Sequence, residues 1–195
     1  APLRTAQIPL HLARGNHDHR ERFWAALRGD APATRPFAER HVALVSSPRA
    51  NWFILDTLDK THSTPGLLGE PQLAWLAREL DAHADKPALV MTHHNPTPDP
   101  AKTTIIDEAA LYAVLRPPRH VQAHVFGHSH RWNVTADESA LHRINLPTTA
   151  YVFDPAQPVG WVSAQLEPHG VKLELRCVDP AREEHGQTQT LAWRT

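Results

Sequence analysis

Three short polar clusters carry residue types that bind metal ions: Asn16-His17-Asp18, His93-His94 and His128-Ser129-His130. Imidazole nitrogen combined with the amide oxygen of asparagine suits zinc, iron or manganese, because neutral histidine keeps a lone pair for the ion. His128 and His130 stand two residues apart. On irregular backbone such neighbours can reach two adjacent ions, although spacing alone does not decide between two ions and one. Gly15 and Gly127 precede two of the clusters, where glycine permits a sharp turn and a close approach of backbone to ligand. Cys177, the single cysteine, lies in the apolar run Val171 to Val178 and reads as a small strand hydrophobe rather than a nucleophile.

Each cluster follows a segment with strand character. Ile8 to Ala13 alternates as a short strand ending at Arg14-Gly15, and Asp18 to Glu21 starts a helix carrying Phe23, Trp24 and Leu27. Val42 to Val45 and Trp52 to Leu55 form an antiparallel pair through Ser46-Ser47-Pro48-Arg49. Pro71 suits the first turn of a helix with Leu73, Leu76, Ala77 and Leu80 on one face and Trp75 at its edge. Ala88 to Met91 is a continuous apolar run of the kind buried on both faces of a sheet, and it stops at the His93-His94 cluster. Asp107 caps a helix with Leu111, Val114 and Leu115 inward. Val121 to Phe126 is a strand ending at Gly127; further strands are expected at Leu141 to Ile144, Tyr151 to Phe153, Trp161 to Leu166 and Val171 to Val178. Strands alternating with helices, followed by strands alone, indicate an α/β domain. Loops at the carboxyl ends of its strands converge on one edge, so separate clusters become one site.

The order Gly15-Asn16-His17-Asp18, then His93 after a strand, then Gly127-His128-Ser129-His130 resembles the calcineurin-like metallophosphoesterases. The resemblance runs from about Ile8 to Phe153 and includes Trp52 to Thr57, the Gly69 to Leu80 helix and the His93-His94-x-Pro96 loop. It is nearest the bacterial cyclic-nucleotide and glycerophosphodiester phosphodiesterases. It implies an α-β-β-α sandwich of two mixed sheets, here lacking its first β-α units. It further implies two transition-metal ions, divalent or trivalent (Mn, Fe or Zn), with Asn16, His93 and His128 on the second ion and His130 on the first. His17 would serve as proton donor to the leaving oxygen or as transition-state stabiliser, with Asp18 fixing its ring. His93 is preferred to His94 because the family's ligand follows the strand directly. The reaction implied is hydrolysis of a phosphodiester or phosphomonoester by a metal-activated hydroxide, so the partner is a small phosphate ester.

The family's Asp-x-His and Gly-Asp-x-x-Asp motifs, expected before Gly15, are not in this sequence. Asp81-Ala82-His83 reads as helix-end polarity, and Gly29-Asp30, with Ala33 at the required offset, as a helix end. The first ion therefore keeps only His130, and neutral donors leave adjacent cations uncompensated. The expectation is a phosphoesterase that is inactive or impaired until those aspartates are supplied; the alternative is a noncatalytic metal- or ligand-binding domain on the same scaffold. A homo-oligomer covering the missing N-terminal strands belongs to the same expectation.

Composition sets the outer bounds. At 195 residues the chain suits one domain, assigned to 1–179 with a polar, loosely held tail at 180–195. With 20 Lys+Arg against 21 Asp+Glu there is no global pull toward a nucleic-acid polymer. No apolar stretch reaches the ~20 residues that span a bilayer, so no membrane partner is indicated and the chain reads as soluble, its localisation open. Of the 15 histidines, His11 and His124 are read as packed or edge positions within strands, and His41, His62, His83, His142, His169 and His185 as surface residues. Thr61 to Gly69, Thr97 to Thr104 and Trp132 to Ser139 are the candidate cap loops that would set specificity.

Overall fold

The computed structural model describes residues 2–26, 36–97 and 104–195. A short helix α1 (Pro2–Thr5) and the helix α2 (Arg20–Ala26) precede the hairpin β1 (Ala43–Ser46) and β2 (Asn51–Ile54). Helix α3 (Glu70–Ala82) leads to β3 (Ala88–Met91), and α4 (Glu108–Leu115) to β4 (Val121–Phe126). Five strands follow: β5 (Asn133–Ala136), β6 (His142–Asn145), β7 (Gly160–Glu167), β8 (Gly170–Cys177) and β9 (Thr188–Ala192).

The first sheet has the order β1-β2-β3-β4-β6-β5, with β2, β3, β4 and β6 parallel and the edge strands β1 and β5 antiparallel to their neighbours. The second sheet, β7-β8-β9, is antiparallel. Alternation across the pleat divides the core. Ala88 and Val90 face α3 and α4, joining Phe53, Leu76, Leu80, Leu111 and Leu115, whereas Leu89 turns to the other face and packs with Ala123, Val125, Val171 and Leu173. These elements supply the α, β and β layers of the expected sandwich.

The hairpin, both long helices and the central strands lie where the sequence places them. Tyr112 and Trp75, 2 % and 8 % exposed, add two aromatics to the helix-side core. Asp107 precedes α4 but does not cap it: its carboxylate accepts from Leu68 N at 3.0 Å and Gly69 N at 2.7 Å, bracing the entry to α3.

Several expectations are corrected. Ile8 to Ala13 is irregular, with no sheet pairing among the described residues, and residues 8–11 are exposed. Tyr151 to Phe153 forms no strand; Tyr151 and Phe153 are 56 % and 71 % exposed on a loop. Trp132 to Ser139 is only partly loop, because β5 pairs with β6 there. The segment after Asp179 is not loose. Thr188–Ala192 is the third strand of the second sheet, and buried Arg194 donates to the carbonyls of Val121 (2.7 Å), Leu115 (3.0 Å) and Pro118 (2.8 Å). Its guanidinium thus closes the C-terminal end of α4, where carbonyls lack partners in the helix and favour a cation. His41 is no surface residue: 3 % exposed, it donates from Nε2 to Leu12 O and packs against Phe23 and Trp24. Trp161, in β7, is 53 % exposed. Leu27, Gly29-Asp30 and most of the Thr97 to Thr104 loop lie outside the described residues.

Candidate metal centre

Parallel pairing of β3 with β4 brings the ends of both strands to one edge. Thr92 N donates to Val125 O (3.0 Å) and Gly127 N to His93 O (3.0 Å), so the two loops leave the sheet bonded to each other. Beyond Gly127 the chain turns tightly. Ser129 N reaches back to Gly127 O, and His128 and His130 adopt left-handed φ values of 63° and 55°. A third loop, Gly15 to Asp18, crosses the same edge with Gly15 packed on the His93 ring, where a Cβ would stand 3.0 Å from His93 Cε1.

Three donor atoms meet there. His93 Nε2 lies 3.0 Å from Asn16 Oδ1 and 3.2 Å from His128 Nδ1. Donors sharing one metal ion at about 2.0–2.2 Å stand roughly 3–3.4 Å from one another, so the spacing fits a common ion. Among the described residues no three His, Cys, Asp or Glu side chains form a metal-binding group; the cluster reaches three donors only through the Asn16 amide. Burial, then the neighbouring histidines, lowers the His93 pKa to about 4, and burial lowers that of His128 as well. Both imidazoles are therefore neutral near pH 7, the form that offers a lone pair.

His94 points elsewhere. It is fully buried, its Nδ1 2.8 Å from Thr57 Oγ1, and burial drives its pKa down to about 3. Thr92 Oγ1 donates to His94 O and lies 2.9 Å from His124 Nε2, while Tyr112 OH is 3.0 Å from His124 Nδ1. Because Thr92 gives its proton to a carbonyl, His124 must donate from Nε2 and accept from Tyr112 at Nδ1. A buried polar chain thus runs from α4 to the His93-His94 turn.

His130 is near His128 but engaged differently. Its ring stacks on Phe153 (4.6 Å, 19°) and meets Tyr151 edge-on at 4.7 Å, and its buried Nδ1 has no hydrogen-bond partner among the described residues. His93, His128 and His130 share a cavity of about 300 Å³ with Ala13, Phe126, Thr148 and Thr149.

His17 is exposed at the mouth, its Nδ1 2.9 Å from His62 Nδ1. Asp18, expected on the His17 ring, instead accepts from Gly15 N at 2.7 Å and so closes its own loop. Sequence reasoning missed His62, Thr57 and Arg14. His62 sits in a loop whose Gly, Pro, Ser and Thr content gives no sign of a partner, and Thr57 and Arg14 act through long-range contacts that no local pattern encodes.

The sequence profile of the calcineurin-like phosphoesterases matches residues 1–132. The chain belongs to that family. It is 29 % identical over 158 residues to the 3',5'-cyclic adenosine monophosphate phosphodiesterase CpdA of Escherichia coli (strain K12), covering 76 % of this chain and 53 % of that protein. The Pseudomonas aeruginosa protein of the same name is 29 % identical over 163 residues, 80 % of this chain and 54 % of its own length. The chain therefore spans about half the length of the curated relatives it matches. A crystal structure of a dimetal phosphatase from Danio rerio superposes with a TM-score of 0.77 at 18 % identity, over 98 % of this chain and 74 % of that one, which establishes the fold.

Proposed function

We propose that this chain carries the asparagine–histidine part of a phosphoesterase centre. Asn16, His93 and His128 hold one metal ion, His130 is a ligand toward a second, and His17 stands beside the phosphate ester. The placing of Asn16 Oδ1 at 3.0 Å and His128 Nδ1 at 3.2 Å from His93 Nε2 carries this reading. A bound transition metal would supply Lewis acidity at a phosphoryl oxygen and lower the pKa of water toward neutrality.

The residues of the chain do the remaining work. Burial keeps His93 and His128 neutral and ready to donate. The Gly127 N to His93 O bond fixes one ligand loop on the other. The amide of Asn16, itself 7 % exposed, adds an oxygen donor without a charge. His17, exposed to solvent, is assigned to give a proton to the leaving oxygen or to stabilise the negative charge on the phosphoryl oxygens.

All the donors are neutral, and this favours a second reading for residues 1–195 alone: metal binding without hydrolysis, turnover requiring carboxylates from outside these residues. The test compares this chain with one extended upstream through the reading frame, each with manganese, iron or zinc and bis(p-nitrophenyl) phosphate. Turnover by the extended chain alone is expected. An upstream frame holding neither Asp-x-His nor Gly-Asp-x-x-Asp would overturn the phosphoesterase reading. The relatives named cAMP phosphodiesterase make a cyclic nucleotide the first natural phosphodiester to try.

A further inference from the structure

The Asn16-His17-Asp18 loop is held from one side by the start of the Thr61 to Gly69 loop. Thr61 Oγ1 donates to Asp18 O (2.8 Å), His62 N donates to Asn16 O (2.6 Å), and His62 Nδ1 stands 2.9 Å from His17 Nδ1. The two rings are tilted by 54° with centroids 5.2 Å apart, a geometry set by the nitrogen–nitrogen contact rather than by stacking. His62 achieves this with φ at 63°, in the left-handed region that non-glycine residues enter at a cost. Two ring nitrogens at 2.9 Å cannot both be bare and cannot both carry hydrogen; one donates and the other accepts.

We propose that His62 is the positioning residue for His17. Its Nδ1–H donates to His17 Nδ1 and holds the His17 ring as the Nε2–H tautomer, with that proton directed to the phosphate ester. This inference rests on the role of His17 proposed above and gives His62 the orienting task that Asp18 would have had. Two independent observations support it. Asp18 is already used by Gly15 N, and the His62 backbone is tied to the residue directly before His17, so ring and loop are located together. The tautomer decides the chemistry. A ring that accepts at Nδ1 presents a donor at Nε2, whereas the opposite tautomer presents only a lone pair and could not protonate a leaving oxygen.

The test is the tautomeric state of His17 in the 15N-labelled 195-residue chain, read from long-range 1H–15N imidazole correlations at about pH 8.5, where imidazoles are neutral. The wild type, His62→Ala and His62→Gln are compared; glutamine restores an N–H donor, and circular dichroism checks that both variants, changed at an exposed residue, fold as the wild type does. Expected are a pure Nε2–H form of His17 in the wild type, a mixture of tautomers in His62→Ala, and recovery in His62→Gln. A His17 that is Nδ1–H in the wild type, or unchanged in His62→Ala, overturns the proposal.

A second readout is the affinity of the zinc-loaded chain for inorganic phosphate. Loss of one positioning hydrogen bond should weaken it on the order of tenfold in His62→Ala and little in His62→Gln. Should the wild type bind no phosphate, the reading of the centre fails while the tautomer experiment still decides the role of His62.

Discussion

Arg14 and Asp56 form a fully buried ion pair, with Arg14 Nη1 3.1 Å from Asp56 Oδ2 and both side chains at 0 % exposure. The pair joins the residue before Gly15 to the residue two beyond β2. The same carboxylate accepts from His41 N and Leu58 N, each at 2.9 Å, and the Arg14 guanidinium lies over the rings of Phe23 and Trp24. One residue further on, Thr57 holds His94. The end of β2 therefore grips both the Asn16 loop and the His93 loop, which arrive from opposite sides of the sequence.

Removing one partner of such a pair strands the other. Asp56→Ala should cost about 3–5 kcal/mol of folding free energy, because it leaves a buried guanidinium and two backbone donors uncompensated. Urea denaturation measures this, and a loss below about 1 kcal/mol, the level of a surface pair, would contradict the account.

Gly66 is the second such constraint. A Cβ there would stand 2.5 Å from the backbone oxygen of Thr57 and closer still to Nδ1 of fully buried His94. Gly66→Ala should destabilise the fold by about 1–3 kcal/mol through overpacking, and should weaken metal binding by shifting the turn that carries His93. Thermal unfolding and zinc titration of the variant check both effects.

His124 links stability to pH. Burial, followed by Arg143, lowers its pKa from 6.5 to about 3. Between those values the unfolded chain holds a proton that the folded chain excludes, so the contribution is complete above about pH 6.5 and declines as pH falls toward 3. His124→Gln keeps a donor and an acceptor for Thr92 and Tyr112 without the titration. Its urea-derived stability should therefore fall less steeply than the wild type's between pH 6.5 and 4. Equal slopes would show that the decline comes from other groups.

Much of this was legible in the sequence, and the reason differs from element to element. The apolar run Ala88 to Met91 and the amphipathic spacing of Leu73, Leu76 and Leu80 encode burial locally, so β3 and α3 appear where expected. His93 and His128 were readable because each follows a strand at the sheet's carboxyl edge, whereas the strand expected before Asn16 does not form. Thr188 to Ala192 was not, since its polar alternation acquires strand character only when β8 offers a ladder partner. Ile8 to Ala13 shows the converse: alternation without a paired neighbour does not make a strand. The His17–His62 contact joins residues 45 apart in sequence across two loops, and neither loop's composition predicts it.

The proposed centre has Asn16, His93 and His128 on one metal ion and leaves the adjacent His94 out. The most direct measurement is metal stoichiometry and affinity by calorimetric titration of zinc into the wild type, His93→Ala, His128→Ala and His94→Gln. One ion per chain is predicted for the wild type, with binding lost in His93→Ala and His128→Ala. His94→Gln should keep the ion, with its affinity reduced only as far as the turn is disturbed. Metal binding that persists in His93→Ala and disappears in His94→Gln would contradict the account.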